Sequence, residues 1–138
     1  MPGTEDNGGK AAHLQMIQGV ITRMAGNSFA LKTLSVTLAA AVTAYSGAVP
    51  TALRFATIGG ILSIVVFWLL DAQYLRLERL FRYLYDQIRA KETTDYSMGV
   101  SEFISQVEST PRIAFSWSVL WIYLALIVLL LLLFFSQR

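Results

Sequence analysis

The feature that most constrains this chain is an apolar run close to its C-terminus. Residues 113–135 contain no Asp, Glu, Lys, Arg or His. About 20 apolar residues in a helix cross the hydrocarbon core of a bilayer. The whole chain is 55% hydrophobic and only 14% charged, whereas soluble domains carry about 25% charged residues. The composition therefore predicts an integral membrane protein.

Two further apolar runs lie upstream, at residues 29–49 and 52–70. Lys32 is close to the start of the first run, where a long side chain can extend to the lipid headgroups. Gly47 and Pro50 predict a tight turn between the two runs. Spans joined by such a short loop are antiparallel neighbours, so we expect a helical hairpin followed by a third span.

The remaining segments are predicted to be helical, apart from the N-terminal tail. Residues 71–92 contain neither Gly nor Pro, so the second span is expected to continue as one long helix outside the membrane. The predicted fold is an all-α membrane protein with three transmembrane helices, a long cytoplasmic helical extension and short amphipathic helices. Its expected parts are a disordered tail (1–12) and a single helical membrane domain (13–138), which comprises an amphipathic helix (13–26), three spans (29–49, 52–70 and 112–135), the cytoplasmic helix (71–92) and a short amphipathic helix (98–108).

The basic residues predict the orientation of the chain. They concentrate in the N-terminal segment and in the connection between the second and third spans, whereas Arg54 and Arg138 lie on the opposite side. The positive-inside rule places the more basic side in the cytoplasm. We expect a multi-pass protein of the cell inner (plasma) membrane with a cytoplasmic N-terminus. The amphipathic helix at 13–26 either lies in the interface or packs on the cytoplasmic helix.

Residues typical of catalysis or metal binding are scarce. The chain has no cysteine and one histidine, His13, which is expected to face solvent at the start of a helix. No common catalytic or phosphate-binding motif is present, and one histidine without cysteine does not make a zinc site. We therefore expect no enzyme activity, no cofactor, no metal and no nucleic-acid partner.

The charged residues beside the second span have two interpretations each. Asp71 ends the span and is either a gating carboxylate or an interface residue that pairs with Arg or with Lys32. Arg76, Arg79 and Arg82 follow it on the extension. They either bind anionic lipid headgroups or form a solvated face balanced by nearby acids. Membrane lipids, including anionic ones, are therefore expected partners.

Small residues in the first two spans and an apolar seam in the extension indicate helix contacts. Small side chains let helix backbones approach closely in lipid. The seam residues Leu77, Phe81 and Leu84 repeat close to a heptad. These contacts hold either the hairpin itself or the subunits of a homo-oligomer, and the two amphipathic segments offer the seam an intramolecular cover. The candidate contact residues are Ser35, Ala39, Thr43, Gly47, Ala56, Gly60, Leu77, Phe81 and Leu84.

Part of the sequence resembles a family of small bacterial membrane proteins. The resembling residues are QGVITRMAGNS at 18–28, WLLD at 68–71, YL at 74–75, ER at 78–79, FR at 81–82 and LYD at 84–86. They resemble the SLATT-like effectors, which have a helical hairpin and a long cytoplasmic helix. The resemblance covers about half the chain, and the third span departs from a two-span design. It implies a role in antiphage conflict systems, where such proteins are proposed to form pores.

Two functional hypotheses follow. The first is a homo-oligomeric, channel-like or membrane-perturbing protein. The second is a non-catalytic accessory or scaffold subunit of a larger membrane complex. They differ in the mass expected for the protein purified alone, because only the first forms a defined assembly of identical copies.

Overall fold

A computed structural model describes residues 4–46, 53–91 and 96–136, and this part of the chain contains helices and no strand. The helices are α1 (Thr4–Ser46), α2 (Leu53–Ala90), a 3-10 helix (Ser101–Gln106), α3 (Thr110–Ala114) and α4 (Trp117–Ser136). Among the described residues, three helices, α1, α2 and α4, are long and apolar enough to cross a membrane. The all-helical fold and the three candidate spans were predicted from the sequence.

Helix α1 is one continuous helix of 43 residues, about 65 Å long at 1.5 Å per residue. The sequence predicted a disordered tail over residues 1–12 and a separate helix over 13–26, whereas the described chain is helical from Thr4 and continues through Gly26. A glycine inside a helix costs about 1 kcal/mol relative to alanine. Packing of Ile17 and Ile21 against α2 outweighs this cost and holds both halves of α1 in line.

Helix α2 is continuous through 38 residues, about 57 Å. Its continuity beyond the apolar run was predicted, because the segment lacks Gly and Pro. The position of its last part relative to a membrane remains a prediction.

Helices α1 and α2 pack antiparallel along their length. Lys10 Nζ donates a hydrogen bond to the Arg89 carbonyl at 3.2 Å, and Ser28 contacts Asp71 near the middle. Gly60 faces Val42 close to the other end. The turn predicted around Gly47 lies outside the described residues.

The apolar core has a part in the spans and a part in the extension. In the spans, α1, α2 and α4 contribute the buried residues Ala39, Val42, Ile64, Val119, Tyr123 and Leu130. Where α1 packs against the extension, Ile17 and Ile21 of α1 contact Leu84 and Ile88 of α2. The expected amphipathic helix at 98–108 is instead a 3-10 helix over Ser101–Gln106. Its region contributes Val100 and Phe103 to the same cluster.

The third apolar run consists of two helices rather than one. α3 ends at Ala114, and α4 begins at Trp117 after a turn at residues 115–116. Ile113 and Ala114 of α3 pack against Ala72 of α2. This contact fixes the point at which α4 joins α1 and α2.

Candidate functional site

The most unusual side chain in the structure is Asp71, a carboxylate with no solvent exposure. It lies on α2 directly after the apolar residues that make up the predicted second span. A buried carboxylate is costly unless it is paired and hydrogen-bonded. Its partners therefore decide whether α2 is stable at this position.

Two residues of α1 supply those partners. Lys32 Nζ lies 2.6 Å from Asp71 Oδ2, and the Ser28 hydroxyl donates a hydrogen bond to Asp71 Oδ1. Lys32 also donates to Ser28 Oγ at 2.8 Å. Ser28 and Lys32 are one helical turn apart and therefore project from the same face of α1.

A third helix closes the cluster through Tyr123 of α4. Its side chain is fully buried, and its hydroxyl lies beside Asp71 and Ser35 without a hydrogen bond of standard geometry. The Ser35 hydroxyl donates to the Leu31 carbonyl at 2.8 Å. Ser28, Lys32, Ser35, Asp71 and Tyr123 are called the polar cluster below.

The polar cluster is neutral overall, because one ammonium and one carboxylate cancel. Ammonium, carboxylate and hydroxyl groups bond to one another across α1 and α2, with Tyr123 of α4 beside them. Such an arrangement holds helices in one register. The structure therefore shows Asp71 paired with Lys32, which was one of its two interpretations. A gating role for Asp71 remains a prediction.

The predicted small-residue contacts in the spans fall into three groups. Ser35, Ala39 and Gly60 are buried between helices. Ala56 is partly buried, and Thr43 is exposed. Gly47 lies outside the described residues.

Gly60 shows why a small residue is required between the helices. A Cβ built at this position would lie 3.1 Å from Val42 Cγ2 and 3.3 Å from Leu130 Cδ1. Glycine therefore allows α1, α2 and α4 to approach at one point.

The apolar seam of the extension is covered mainly within the chain. Leu84 is 5% exposed, and Phe81 packs against the cluster that contains Ile17 and Ile21. Leu77 is 38% exposed. Of the three candidate contact residues of the seam, Leu84 is buried, Phe81 is partly buried and Leu77 is exposed.

Of the three arginines Arg76, Arg79 and Arg82 on the extension, two form ion pairs with acidic side chains. Arg79 pairs with Glu108 at 2.7 Å, and Arg82 pairs with Glu78 at 2.6 Å. Arg76 is partly buried, and its Nε lacks a hydrogen bond. A solvated, balanced face therefore describes Arg79 and Arg82 but not Arg76.

The prediction that His13 faces solvent was wrong. The side chain is 3% exposed, and its ring centroid lies 5.6 Å from that of Tyr96. Because α1 begins at Thr4, His13 lies inside the helix and is covered by the segment that precedes the 3-10 helix.

Within the part of the chain that the structure describes, no group of three His, Cys, Asp or Glu side chains could hold a metal.

Sequence reasoning missed two members of the polar cluster. They are Ser28, which lies directly before the first apolar run, and Tyr123, which lies inside the last one. The spacing of Ser28 and Lys32 by one turn was a usable signal. A phenol inside the most apolar span was another, because a buried tyrosine hydroxyl usually lies near a polar partner.

Comparison with known proteins adds no relative. No protein-family description matches the chain, and no curated protein or solved structure is significantly similar to it.

Proposed function

We propose that this chain is a non-catalytic integral membrane protein that assembles with copies of itself into a channel-like or membrane-perturbing complex. The observation that carries the proposal is a difference between the outer faces of α1 and α4. Large apolar side chains suit lipid, whereas small ones suit close contact with another helix.

The outer face of α4 has the character of a lipid-facing surface. It exposes Leu124, Val128, Leu129, Leu131, Leu132 and Phe135. α4 is also the most apolar of the three candidate spans, and α1 is the least.

The outer surface of α1 is different, because it carries one strip of small residues beside the exposed Phe29, Leu34, Val36 and Tyr45. Thr33, Thr37, Ala40 and Ala44 are exposed along one side of the helix. The Thr33 hydroxyl donates to the Phe29 carbonyl at 3.1 Å, and that of Thr37 donates to the Thr33 carbonyl at 2.9 Å. These hydroxyls are satisfied within the helix, so the face is smooth and can pack closely against an equal face of a second copy.

Helix length supports a position of the polar cluster close to one membrane surface. From Asp71 back to Leu53, α2 rises about 27 Å, which is close to the roughly 30 Å of a hydrocarbon core. Trp68 donates its indole N–H to the Ala114 carbonyl at 2.9 Å, and Trp117 is exposed nearby on α4. Tryptophan is enriched at the membrane interface, which supports the same boundary.

The orientation and location of the protein belong to this proposal. The parts of α1 before Ser28 and of α2 after Asp71 would extend into the cytoplasm, because the basic residues concentrate there. The protein would then be a multi-pass component of a bacterial inner membrane with a cytoplasmic N-terminus. The resemblance to SLATT-like effectors agrees with this arrangement and with pore formation.

A specific observation favours the second candidate, an accessory subunit of a larger complex. Ile17 and Ile21 of α1 cover most of the apolar seam of α2, so most of this surface is buried without a second copy. A small-residue face on α1 would equally accept a helix of a different protein.

The mass of the purified protein separates the two candidates. The protein expressed alone would be measured in detergent by light scattering, and its conductance would be measured in reconstituted bilayers. A defined multiple of the chain mass with conductance is expected. A monomer without conductance would contradict self-assembly and favour the accessory role.

A matched pair of variants tests the α1 face itself. Ala40→Leu enlarges an exposed alanine of α1, and Ala125→Leu makes the same change at an exposed alanine of α4. We expect Ala40→Leu to reduce the assembly and Ala125→Leu to leave it intact. Equal behaviour of the two variants would remove the α1 face from the proposed interface.

A further inference from the structure

Among the described residues, three arginines near the polar cluster have no carboxylate partner. Arg79 and Arg82 pair with Glu108 and Glu78. Within residues 4–46, 53–91 and 96–136, the structure shows no such pair for Arg23, Arg76 and Arg112. Arg23 and Arg112 are exposed, and Arg76 is partly buried.

The arginines of α1 and α2 lie at the same height. Arg23 is five residues before Ser28, and Arg76 is five residues after Asp71. Because Ser28 and Asp71 are bonded across antiparallel helices, both arginines lie about 7.5 Å beyond the polar cluster on the same side.

The third arginine belongs to the same region of the bundle. Arg112 immediately precedes Ile113, which packs with Ala72 and Leu75 of α2. Leu75 is the residue directly before Arg76. The three cations therefore come from three successive parts of the bundle, α1, α2 and α3.

Exposed aromatic side chains mark the adjoining membrane boundary. Phe115 and Trp117 are 66% and 78% exposed, and the rings of Trp117 and Trp121 are 5.0 Å apart. The headgroup layer adds about 5–7 Å on each side of the hydrocarbon core. A backbone position about 7.5 Å beyond the polar cluster therefore lies at the outer edge of the headgroup layer, from which a long arginine side chain can reach lipid phosphates.

We propose that Arg23, Arg76 and Arg112 form an arginine belt that binds the phosphate groups of anionic phospholipids. A guanidinium group can donate two parallel hydrogen bonds to one phosphate. The belt depends on the proposed membrane boundary but not on self-assembly, because all three arginines belong to one chain.

The test measures retention of phosphatidylglycerol by the full-length protein in detergent, using native mass spectrometry and phosphatidylcholine as the uncharged reference. Arg23, Arg76 and Arg112 would be replaced together by Gln. Arg89→Gln is the matched control, because Arg89 is exposed and lies on α2 about 20 Å further from the membrane than Arg76. Each belt arginine is expected to contribute roughly fivefold to phosphatidylglycerol binding.

The expected result is loss of the preference for phosphatidylglycerol in the triple variant and its retention in Arg89→Gln. Replacement of the same three residues by Lys should restore part of the binding, because lysine keeps the charge but lacks the planar donor pair. An unchanged preference in the triple variant, or an equal loss in Arg89→Gln, would overturn the proposal. If the triple variant fails to fold, Arg112→Gln alone is measured instead. Substitution of this exposed residue should still reduce phosphatidylglycerol binding roughly fivefold.

Discussion

Lys32 and Asp71 form an ion pair of 2.6 Å between α1 and α2 whose two members differ sharply in exposure. The lysine side chain is 24% exposed, whereas the aspartate side chain is fully buried. The lysine can therefore reach water or headgroups if its partner is lost, but the aspartate cannot. This difference makes the two single substitutions unequal.

We expect Lys32→Met to destabilise the protein more than Asp71→Asn does. Lys32→Met leaves a buried carboxylate without its cation, which costs about 3–5 kcal/mol. Asp71→Asn leaves an ammonium that can move toward the headgroups and an amide that can still accept from Ser28. Thermal unfolding in detergent measures both variants. A larger loss for Asp71→Asn would mean that the ammonium is the more strongly confined group.

The double variant Lys32→Met with Asp71→Leu is the control for this prediction. Replacement of both members of a buried ion pair by apolar residues is often neutral or stabilising. The double variant should therefore unfold at a higher temperature than Lys32→Met alone. Additive losses would indicate that each residue acts through contacts other than the ion pair.

Two adjacent glycines of α2 provide a second prediction. A Cβ at Gly60 would contact Val42 and Leu130, whereas a Cβ at Gly59 would meet no atom within 4 Å. Gly60→Leu should destabilise the fold by about 1–3 kcal/mol because the core is overpacked. Gly59→Leu should not, and its melting temperature in detergent is the matched control. Similar melting of the two variants would contradict the observed approach of α1, α2 and α4 at Gly60.

The covered seam of the extension provides a third prediction. Leu84→Ala removes a buried side chain from the cluster with Ile17 and Ile21 and should cost about 2–5 kcal/mol of stability. Its oligomer mass in detergent should remain that of the native protein, because Leu84 is covered by its own chain. Leu77→Ala, at an exposed position, should change stability little. A loss of assembly with Leu84→Ala at unchanged stability would instead place the seam between subunits.

The proposed orientation provides a fourth prediction. Single cysteines at Gln15 and Arg89 should react with an impermeant thiol reagent only from the cytoplasmic side, and one at Ser136 only from the outside. All three positions are exposed, and the native chain has no cysteine to react in their place. Reaction at position 136 from the cytoplasmic side would contradict three spans with a cytoplasmic N-terminus.

Much of the fold was predictable because apolarity is a property of consecutive residues. The run at 113–135 identified a span without reference to any other part of the chain, although the turn at 115–116 shortened the helix that crosses. The absence of Gly and Pro after Asp71 predicted the continuity of α2 for the same local reason. Asp71 and Lys32 were predictable as candidate site residues because each is a charged residue at the border of an apolar run.

Only the tertiary structure decided which distant residues meet. Ser28 and Asp71 are 43 positions apart, and their contact depends on the antiparallel register of two long helices. In the same register α1 continues through Gly26, and its Ile17 and Ile21 cover Leu84 and Ile88. Local propensity favours a helix end at Gly26 by about 1 kcal/mol, whereas each large apolar side chain that α1 buries against α2 is worth about 1.5–3 kcal/mol. Packing between helices therefore outweighed the local signal, and this is why the polar cluster could not be assembled from the sequence alone.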